Sequence, residues 1–177
     1  MNELFITLVP YMVLFSHLVL VFAFVAILAR ATWGREVYEF LGRNALVLGF
    51  LVALGAMLGS LYYSEIVGFE ACVLCWWQRG FLYPIVLVFG VGFWRKKDYL
   101  FPLASVLALG ALLVGGYQEI SNLTGASLLA CTDTEGACAK VFVKEFGYIT
   151  IPVMSVTVSL YVILLAWVNK LFKQRNG

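Results

Sequence analysis

Five long apolar runs, separated by short polar breaks, constrain the fold of this chain more than any other feature. They cover residues 4–29, 44–66, 74–94, 99–119 and 149–169. About 20 apolar residues are enough for a helix to cross a bilayer, and a helix satisfies its own backbone hydrogen bonds there. With 63% hydrophobic and 12% charged residues, the chain is too apolar for an ordinary water-soluble domain. The sequence therefore predicts an all-α integral membrane protein.

The first run also resembles the apolar core of a cleavable signal peptide. Ala29 and Ala31, on either side of Arg30, resemble the two small residues of a cleavage site. Residues 1–3, however, include no basic residue, and the run is longer than the core of a signal peptide. We therefore expect that the first run is retained as a transmembrane helix.

The polar break between the first two runs, residues 30–43, has a helical periodicity of its own. Its apolar residues recur at helical spacing and are Trp33, Val37, Phe40 and Leu41. Arg30, Arg35 and Arg43 in the same segment suit contact with lipid headgroups. This pattern is typical of a helix that lies in the membrane interface, and we expect a short one here.

Small residues recur in the second and fourth runs, where they would let a neighbouring helix approach closely. In the second run they are Gly49, Ala53, Gly55, Ala56 and Gly59. In the fourth run they are Ala104, Ala108, Ala111 and Gly115. The pattern predicts that both runs pack tightly against other helices.

The basic residues of the short loops predict the orientation of the chain, because loops rich in lysine and arginine stay in the cytoplasm. If all five runs span and the C-terminus is cytoplasmic, nine basic residues lie inside: Arg30, Arg35, Arg43, Arg95, Lys96, Lys97, Lys170, Lys173 and Arg175. Only Lys140 and Lys144 then lie outside. We therefore expect a plasma-membrane or inner-membrane protein whose N-terminus and cysteine-bearing loops face away from the cytoplasm.

The four cysteines all lie on that outer side, as Cys72 with Cys75 and Cys131 with Cys138. Disulfides persist in such oxidising compartments. The short spacings favour pairing within each pair, and four cysteines allow three pairings in total. Cys75 and Arg79 share one face of a helix that begins near residue 74. Because a helix N-terminus and a nearby arginine both favour a charged sulfur, we expect Cys75 to be reactive.

The cysteines and Arg79 are also compatible with roles that involve no redox chemistry. The four cysteines could be inert thiols or form two structural disulfides. A structural zinc site would use four cysteines, but the second pair encloses six residues, where two to four are usual. A covalent haem needs a histidine directly after the first pair, and Trp76 stands there. An arginine one turn inside a helix can also extend to the lipid headgroups.

The first 43 residues contain no cysteine and no group that is close to the first cysteine pair in sequence. They include His17, the single histidine, which has no acidic neighbour in its apolar run. We expect His17 to have a packing role. We also expect residues 1–43 to be dispensable for the chemistry.

The sequence around the first cysteine pair resembles the DsbB family of membrane proteins that form disulfide bonds, and within it the short-loop, BdbC-like members. The resemblance rests on residues 59–65 (GSLYYSE), 72–75 (CVLC), Gln78, Arg79, Tyr83 and Pro84. A second cysteine pair in the next outer loop and residues 149–152 (ITIP) complete it. The resemblance extends over residues 44–170.

The resemblance implies a four-helix transmembrane bundle, which residues 44–177 would form. Residues 1–43 depart from the family pattern. They would add one N-terminal transmembrane helix and a cytoplasmic linker before the bundle.

The resemblance also implies a thiol:quinone oxidoreductase that reoxidises a thioredoxin-like thiol oxidase, of the DsbA or BdbD kind, outside the membrane. The thiolate of this partner would attack Cys131 and displace Cys138, and the loop pair would then exchange with the first pair. Cys75 would meet a quinone, either ubiquinone or menaquinone, and Arg79 would polarise a quinone oxygen. The implied catalytic residues are Cys72, Cys75, Cys131 and Cys138, and the implied quinone-binding residues are Arg79 and Gln78.

Two alternatives come from other classes of protein. A quinone reductase similar to vitamin K epoxide reductase would also couple thiols to quinones, but its closely spaced pair is expected near the last helix. A membrane subunit stabilised by two disulfides would have no enzymatic activity. Reduction of quinone by a dithiol protein distinguishes an enzyme from such a subunit.

Overall fold

Five long helices make up most of the part of the chain that the structure describes. The computed structural model describes residues 2–95, 100–124 and 146–176. The helices are α1 (Asn2–Leu28), α2 (Arg35–Leu61), α3 (Val73–Arg95), α4 (Phe101–Thr124) and α5 (Ile151–Asn176). Each contains a segment that is long and apolar enough to cross a membrane. The predicted all-α, multi-pass membrane fold is therefore confirmed.

Helices α2 to α5 form an antiparallel bundle, and α1 packs on its outside. Within the bundle α3 packs against α2 and α4, and α5 packs against α2 and α4. Helix α1 packs against α2 and α5. This is the four-helix bundle with one additional N-terminal helix that was expected. We call the end of the bundle that contains Cys72, Thr124 and Thr150 the cysteine end.

Helix α2 begins earlier than the sequence indicated. A single stripe of buried residues runs along it, formed by Tyr38, Gly42, Ala45, Gly49 and Ala53. Because this stripe continues without a break, the segment after Arg35 folds as the first turns of α2. The prediction of a separate interfacial helix over residues 30–43 was therefore wrong, and the predicted domain boundary after residue 43 falls inside a continuous helix.

The turn between α1 and α2 requires a glycine because the two helices meet closely there. A Cβ atom added at Gly34 would lie 1.9 Å from the carbonyl oxygen of Ala26. The Gly34 amide donates a hydrogen bond to the carbonyl of Ala29 across 3.1 Å. This tight turn holds the second half of α1 against α2, where Ala26 and Ile27 are fully buried.

The small residues of α2 and α4 differ in what they contact. On α4 the stripe of Ala104, Ala108 and Ala111 is fully buried, and on α2 a Cβ atom added at Gly49 would lie 2.8 Å from the Phe89 ring. These residues pack tightly, as predicted. Nothing lies within 4 Å of a Cβ atom added at Gly55 or Gly59. For those two glycines the prediction of close packing was wrong, because they border an open space.

A π-helical turn, Tyr62–Ile66, ends α2 and leads to the first cysteine pair. Its wider coil is closed by a hydrogen bond from the Val67 amide to the carbonyl of Tyr62 across 3.1 Å. Gly68 then adopts a positive φ of 81°, which glycine tolerates without steric cost. The chain thereby reverses within a few residues and starts α3 at the cysteine end.

Candidate active site at the cysteine end

The first cysteine pair forms the first turn of α3. The Cys72 carbonyl accepts the first helical hydrogen bond, from the Trp76 amide across 3.1 Å, and Cys75 follows one turn later. The two sulfur atoms lie 3.1 Å apart. To form a disulfide, the two sulfur atoms would need to move only about 1 Å closer together. The structure thus brings Cys72 and Cys75 together in the pairing that the spacing favoured.

Gln118 on α4 contacts both sulfurs. Its amide nitrogen lies 3.6 Å from Cys72 Sγ and 3.8 Å from Cys75 Sγ. Gln118 is 6% exposed and Gln78 is 5% exposed, and the Gln78 amide nitrogen donates a hydrogen bond to Gln118 Oε1 across 2.8 Å. Gln78, predicted as a quinone-binding residue, therefore lies at the site and positions the amide that contacts the thiols.

Sequence reasoning missed Gln118, although one signal was present. Gln118 continues the stripe of Ala104, Ala108, Ala111 and Gly115 at the same alternation of three and four residues. A glutamine on the packed face of a membrane helix must have a partner inside the bundle, because an unsatisfied polar group in an apolar environment is costly. Its partners lie on α3 and at the start of that helix, which the sequence could not identify.

Arg79 is held by α2 rather than by the cysteine pair. Its Nε donates to Ser60 Oγ across 3.0 Å and its Nη2 donates to the Ser60 carbonyl across 3.2 Å. Its guanidinium also lies over the Trp76 ring, 5.2 Å from the centroid. The expected contact of Arg79 with Cys75 is not among these contacts. The reason is that Ser60 offers two oxygen acceptors on the neighbouring helix.

A cavity of about 780 Å³ adjoins the cysteine pair. Every helix contributes to its lining, and so does the connection between α2 and α3. The polar lining near the pair includes Ser60, Gln78, Arg79, Tyr83 and Gln118. Away from the pair the lining is mostly apolar, with Leu51, Val52, Leu82, Met154 and Val158. The cavity therefore has a polar head beside the thiols and an apolar remainder.

The further polar residues that line this cavity include Ser155 on α5 and Thr150, which immediately precedes α5. Ser155 is 8% exposed, and within the described residues its hydroxyl has no hydrogen-bond partner. Thr150 precedes α5 and donates to Glu119 Oε2 across 2.6 Å, while its hydroxyl oxygen accepts from the Val153 amide across 3.4 Å. The Ser155 hydroxyl is therefore a buried polar group, whereas Thr150 serves as the cap of α5.

His17 has specific polar partners, so a purely packing role was wrong. Its Nε2 lies 2.7 Å from Thr157 Oγ1 and its Nδ1 lies 3.2 Å from the Tyr148 hydroxyl. The rings of His17 and Tyr148 also stack at 5.8 Å. Nearby, the Tyr161 hydroxyl donates to the carbonyl of Ser16. These contacts attach the middle of α1 to α5.

Cys131 and Cys138, predicted as the second catalytic pair, lie outside the described residues. Their predicted pairing and their predicted reaction with a partner protein stay predictions.

Comparison with known proteins identifies the family. The family model described as "Disulfide bond formation protein DsbB" matches residues 42–169. The chain is 40% identical over 111 residues to the SPbeta prophage-derived disulfide bond formation protein B of Bacillus subtilis, covering 62% of this chain and 74% of that protein. It is 36% identical over 123 residues to disulfide bond formation protein C of the same organism, covering 67% and 87%.

A third relative extends the match along almost its whole length. The chain is 32% identical over 135 residues to the probable disulfide formation protein C 2 of Bacillus anthracis, covering 74% of this chain and 94% of that protein. No solved structure matches the chain. The matched residues include α3 to α5 up to residue 169 and most of α2, but not α1. The chain therefore belongs to the disulfide-generating DsbB family, as a multi-pass membrane protein with one helix before the matched region.

Proposed function

We propose that this protein is a thiol:quinone oxidoreductase that passes electrons from an extracytoplasmic thiol oxidase to a membrane quinone, and so generates disulfide bonds. The observation that carries the proposal is the position of the cysteine pair. Cys72 and Cys75 both line the polar head of a largely apolar cavity inside a bundle of membrane-length helices. A lipid-soluble oxidant fits such a cavity better than a water-soluble one does.

The lining of the cavity suits a ring that carries two carbonyl oxygens. An arginine has five N–H donors, and Arg79 uses two of them on Ser60. Among the described residues, the hydrogen bonds of Arg79 leave its other N–H donors for an acceptor in the cavity. Ubiquinone and menaquinone both present carbonyl oxygens, so these donors support a quinone without selecting between the two.

The proposed reaction begins at the loop pair. A thiolate of the partner, a thioredoxin-like oxidase of the DsbA or BdbD kind, attacks Cys131 and displaces the Cys138 thiolate. The second partner thiol then displaces Cys131, which leaves an oxidised partner and a reduced loop pair. The loop dithiol reduces the Cys72–Cys75 disulfide by the same exchange chemistry. Each step breaks one disulfide and forms another, so two electrons move inward.

The chain's own residues prepare the inner pair for the final step. The Gln118 amide directs its N–H groups at both sulfurs, which favours the thiolate because a hydrogen bond to a charged form stabilises it. A bound quinone supplies the chemistry of accepting two electrons and two protons. Arg79 would hold a carbonyl oxygen at the polar head of the cavity. Cys72 and Cys75 return to the disulfide when their two electrons leave.

The burial of Cys72 supports a relay through two pairs. Its side chain is 6% exposed, so the catalytic surface of a partner protein cannot reach its sulfur directly. Thiol exchange requires access of the attacking sulfur along the disulfide. A second pair on a loop supplies that access, and this is the role we propose for Cys131 and Cys138.

We propose that the cysteine end faces away from the cytoplasm, in a plasma or inner membrane. The support is the excess of basic residues in the loops at the opposite end of the bundle. A membrane-impermeant thiol reagent, applied to intact cells after reduction, should label Cys131 or Cys138. Labelling that appears only after the cytoplasmic side is opened would contradict this orientation.

The reaction is tested with the purified full chain, a reduced thioredoxin-like oxidase and quinone, by following the absorbance of the quinone. Cys131→Ser should block the reaction with the protein partner and leave the inner pair oxidisable by quinone. Cys75→Ser should allow the loop disulfide to accept electrons once, without turnover. Normal turnover of both variants would contradict the relay through two cysteine pairs. Absence of quinone reduction by the unaltered protein would contradict the proposed oxidoreductase activity.

The role of Arg79 is tested by its replacement with lysine, which keeps the charge and loses the planar fork. Loss of a charge-assisted hydrogen bond of about 1.5–3 kcal/mol predicts an apparent quinone affinity about ten- to a hundredfold weaker. The matched control is Arg43→Lys, because Arg43 is exposed on α2 and does not line the cavity. Equal affinities for the two variants would exclude a quinone-binding role for Arg79.

A further inference from the structure

Helix α1 lies outside the residues that match the family, yet it forms part of the cavity wall. The family match begins at residue 42, and α1 ends at Leu28. Four α1 residues line the cavity: Val9, Met12, Val13 and Ser16. The chemistry of the cysteine pair does not require them, because the polar head of the cavity is built by α2, α3 and α4. These four residues instead form part of the wall around the apolar part of the cavity.

The position of α1 is fixed on two sides. Its second half is held against α2 by the turn at Gly34 and by the buried side chains of Ala26 and Ile27. Its middle is held against α5 by the contact of His17 with Thr157 at 2.7 Å and by the hydrogen bond between the Tyr161 hydroxyl and the Ser16 carbonyl. The wall that α1 presents to the cavity is therefore a built feature of the fold.

Between the first half of α1 and α2 there is a slot. Gly55 and Gly59 leave open space on the α2 side. Met12 on α1 and Leu51 on α2 line the cavity and are 62% and 56% exposed, so neighbouring helices do not cover these two side chains. An opening at this slot would connect the cavity with the lipid around the bundle.

The cavity is also long in the direction of the helix axes. Ser60, which holds Arg79, and Val52 both line it. These residues are eight positions apart on α2, which corresponds to about 12 Å along a helix. A single quinone ring held at Arg79 occupies only the polar head. The apolar remainder fits an extended hydrocarbon that is attached to that ring.

We propose that α1 is the outer wall of a channel for the isoprenoid tail of the quinone, and that Val9, Met12, Val13 and Ser16 contact this tail. The inference rests on the proposed quinone chemistry and adds the part of the acceptor that α1 recognises. It replaces the expectation that residues 1–43 are dispensable. Removal of α1 would open the channel along one side, and the tail would exchange protein contacts for lipid contacts.

The direct test is photo-crosslinking with the intact protein in lipid nanodiscs. The probe is a quinone whose isoprenoid tail carries a diazirine, and the labelled peptides are identified by mass spectrometry. We expect labels on residues 9–16 of α1, and competition by unlabelled long-tailed quinone but not by phospholipid. Labels on α2 or α5 alone, with the probe still reduced by the thiols, would overturn the inference and leave the proposed function intact. Failure of both labelling and reduction would overturn both.

A pair of matched variants gives a second, independent test. Val13→Trp places an indole in the channel, whereas Val21→Trp places one on the outside of the same helix, where Val21 is 61% exposed. Val13→Trp should weaken the binding of a long-tailed quinone about three- to tenfold, a modest effect because lipid tails offer the displaced hydrocarbon similar contacts. A tail-less quinone should bind both variants equally.

Unequal binding of the tail-less quinone would show that the ring site is disturbed, and equal binding of the long-tailed quinone would show that α1 makes no contact with the tail. Either result would overturn the inference. The rate at which the reduced partner reduces the loop disulfide serves as the folding control for both variants, because that exchange does not involve the cavity.

Discussion

The side-chain amide of Gln118 lies 3.6 Å from Cys72 Sγ, although the two residues are 46 positions apart in the chain. The same amide reaches Cys75 Sγ at 3.8 Å. A neutral amide therefore occupies the place where sequence reasoning put the Arg79 guanidinium. This arrangement separates two tasks, because Gln118 acts on the thiols while Arg79 remains directed at the cavity.

Gln118→Leu removes the N–H groups beside both sulfurs without a large change in side-chain size. A hydrogen bond contributes about 0.5–1.5 kcal/mol, so we expect alkylation of the reduced inner pair to slow about two- to tenfold. The measurement is the rate of reaction with iodoacetamide at fixed pH in the absence of quinone. The control is Gln174→Leu, because Gln174 is exposed near the end of α5. An unchanged rate in Gln118→Leu would mean that the amide does not stabilise the thiolate.

Ser60→Ala tests how α2 positions Arg79. The variant loses the bonds that Ser60 Oγ accepts from Arg79 Nε across 3.0 Å and from the Tyr83 hydroxyl across 3.4 Å, and it keeps the bond from Arg79 to the Ser60 carbonyl. We expect an apparent quinone affinity about three- to tenfold weaker, since Arg79 loses one hydrogen bond of about 1 kcal/mol. Ser105→Ala is the matched control, because the Ser105 hydroxyl bonds to the carbonyl of Phe101 on its own helix. The same affinity in both variants would argue against positioning by Ser60.

Replacement of Gly49 and of Gly55 on α2 by alanine should change the stability of the protein in opposite directions. Gly49→Ala forces a Cβ atom to within 2.8 Å of the buried Phe89 ring, and overpacking of this kind costs about 1–3 kcal/mol. Gly55→Ala meets no atom within 4 Å, and the helix gains about 0.5–1 kcal/mol from alanine. Thermal unfolding midpoints in detergent should fall for the first variant and rise slightly for the second. A fall of equal size in both would mean that the space beside Gly55 is filled.

His17→Ala tests the attachment of α1 to α5. It removes the contact with Thr157 and the stacking on Tyr148, and a polar contact between membrane helices contributes about 1 kcal/mol. We expect the unfolding midpoint to fall and proteolysis between α1 and α2 to become faster. Leu18→Ala is the control, because Leu18 is 65% exposed on the same helix. Equal effects of the two substitutions would show that His17 adds no specific attachment.

The features that sequence predicted correctly are those that depend on local order. Five membrane helices follow from the length of the apolar runs, and the closeness of Cys72 to Cys75 follows from their spacing at a helix start. The fully buried stripe that includes Ala104 and Ala108 follows from helical periodicity. Each of these depends on neighbours within a turn or two, so the sequence contains the necessary information.

The features that sequence missed depend on which helices face each other. Gln118 contacts the thiols only because α4 packs against α3, and Arg79 bonds to Ser60 only because α2 packs there as well. Gly55 and Gly59 belong to the same small-residue pattern as Gly49, but no helix fills the space beside them. Periodicity marks a face of a helix and does not say whether a neighbour or a cavity lies against it.

If the proposed function holds, the slot between α1 and α2 would determine where the protein finds its electron acceptor. A site that opens sideways draws on molecules dissolved in the bilayer, whose volume is a small fraction of the cell. A lipid-soluble acceptor confined to that volume is far more concentrated than its cellular average. The protein would then remain saturated with only weak binding, and weak binding would let the reduced acceptor leave quickly. The rate of disulfide formation would then follow the redox state of the quinone pool.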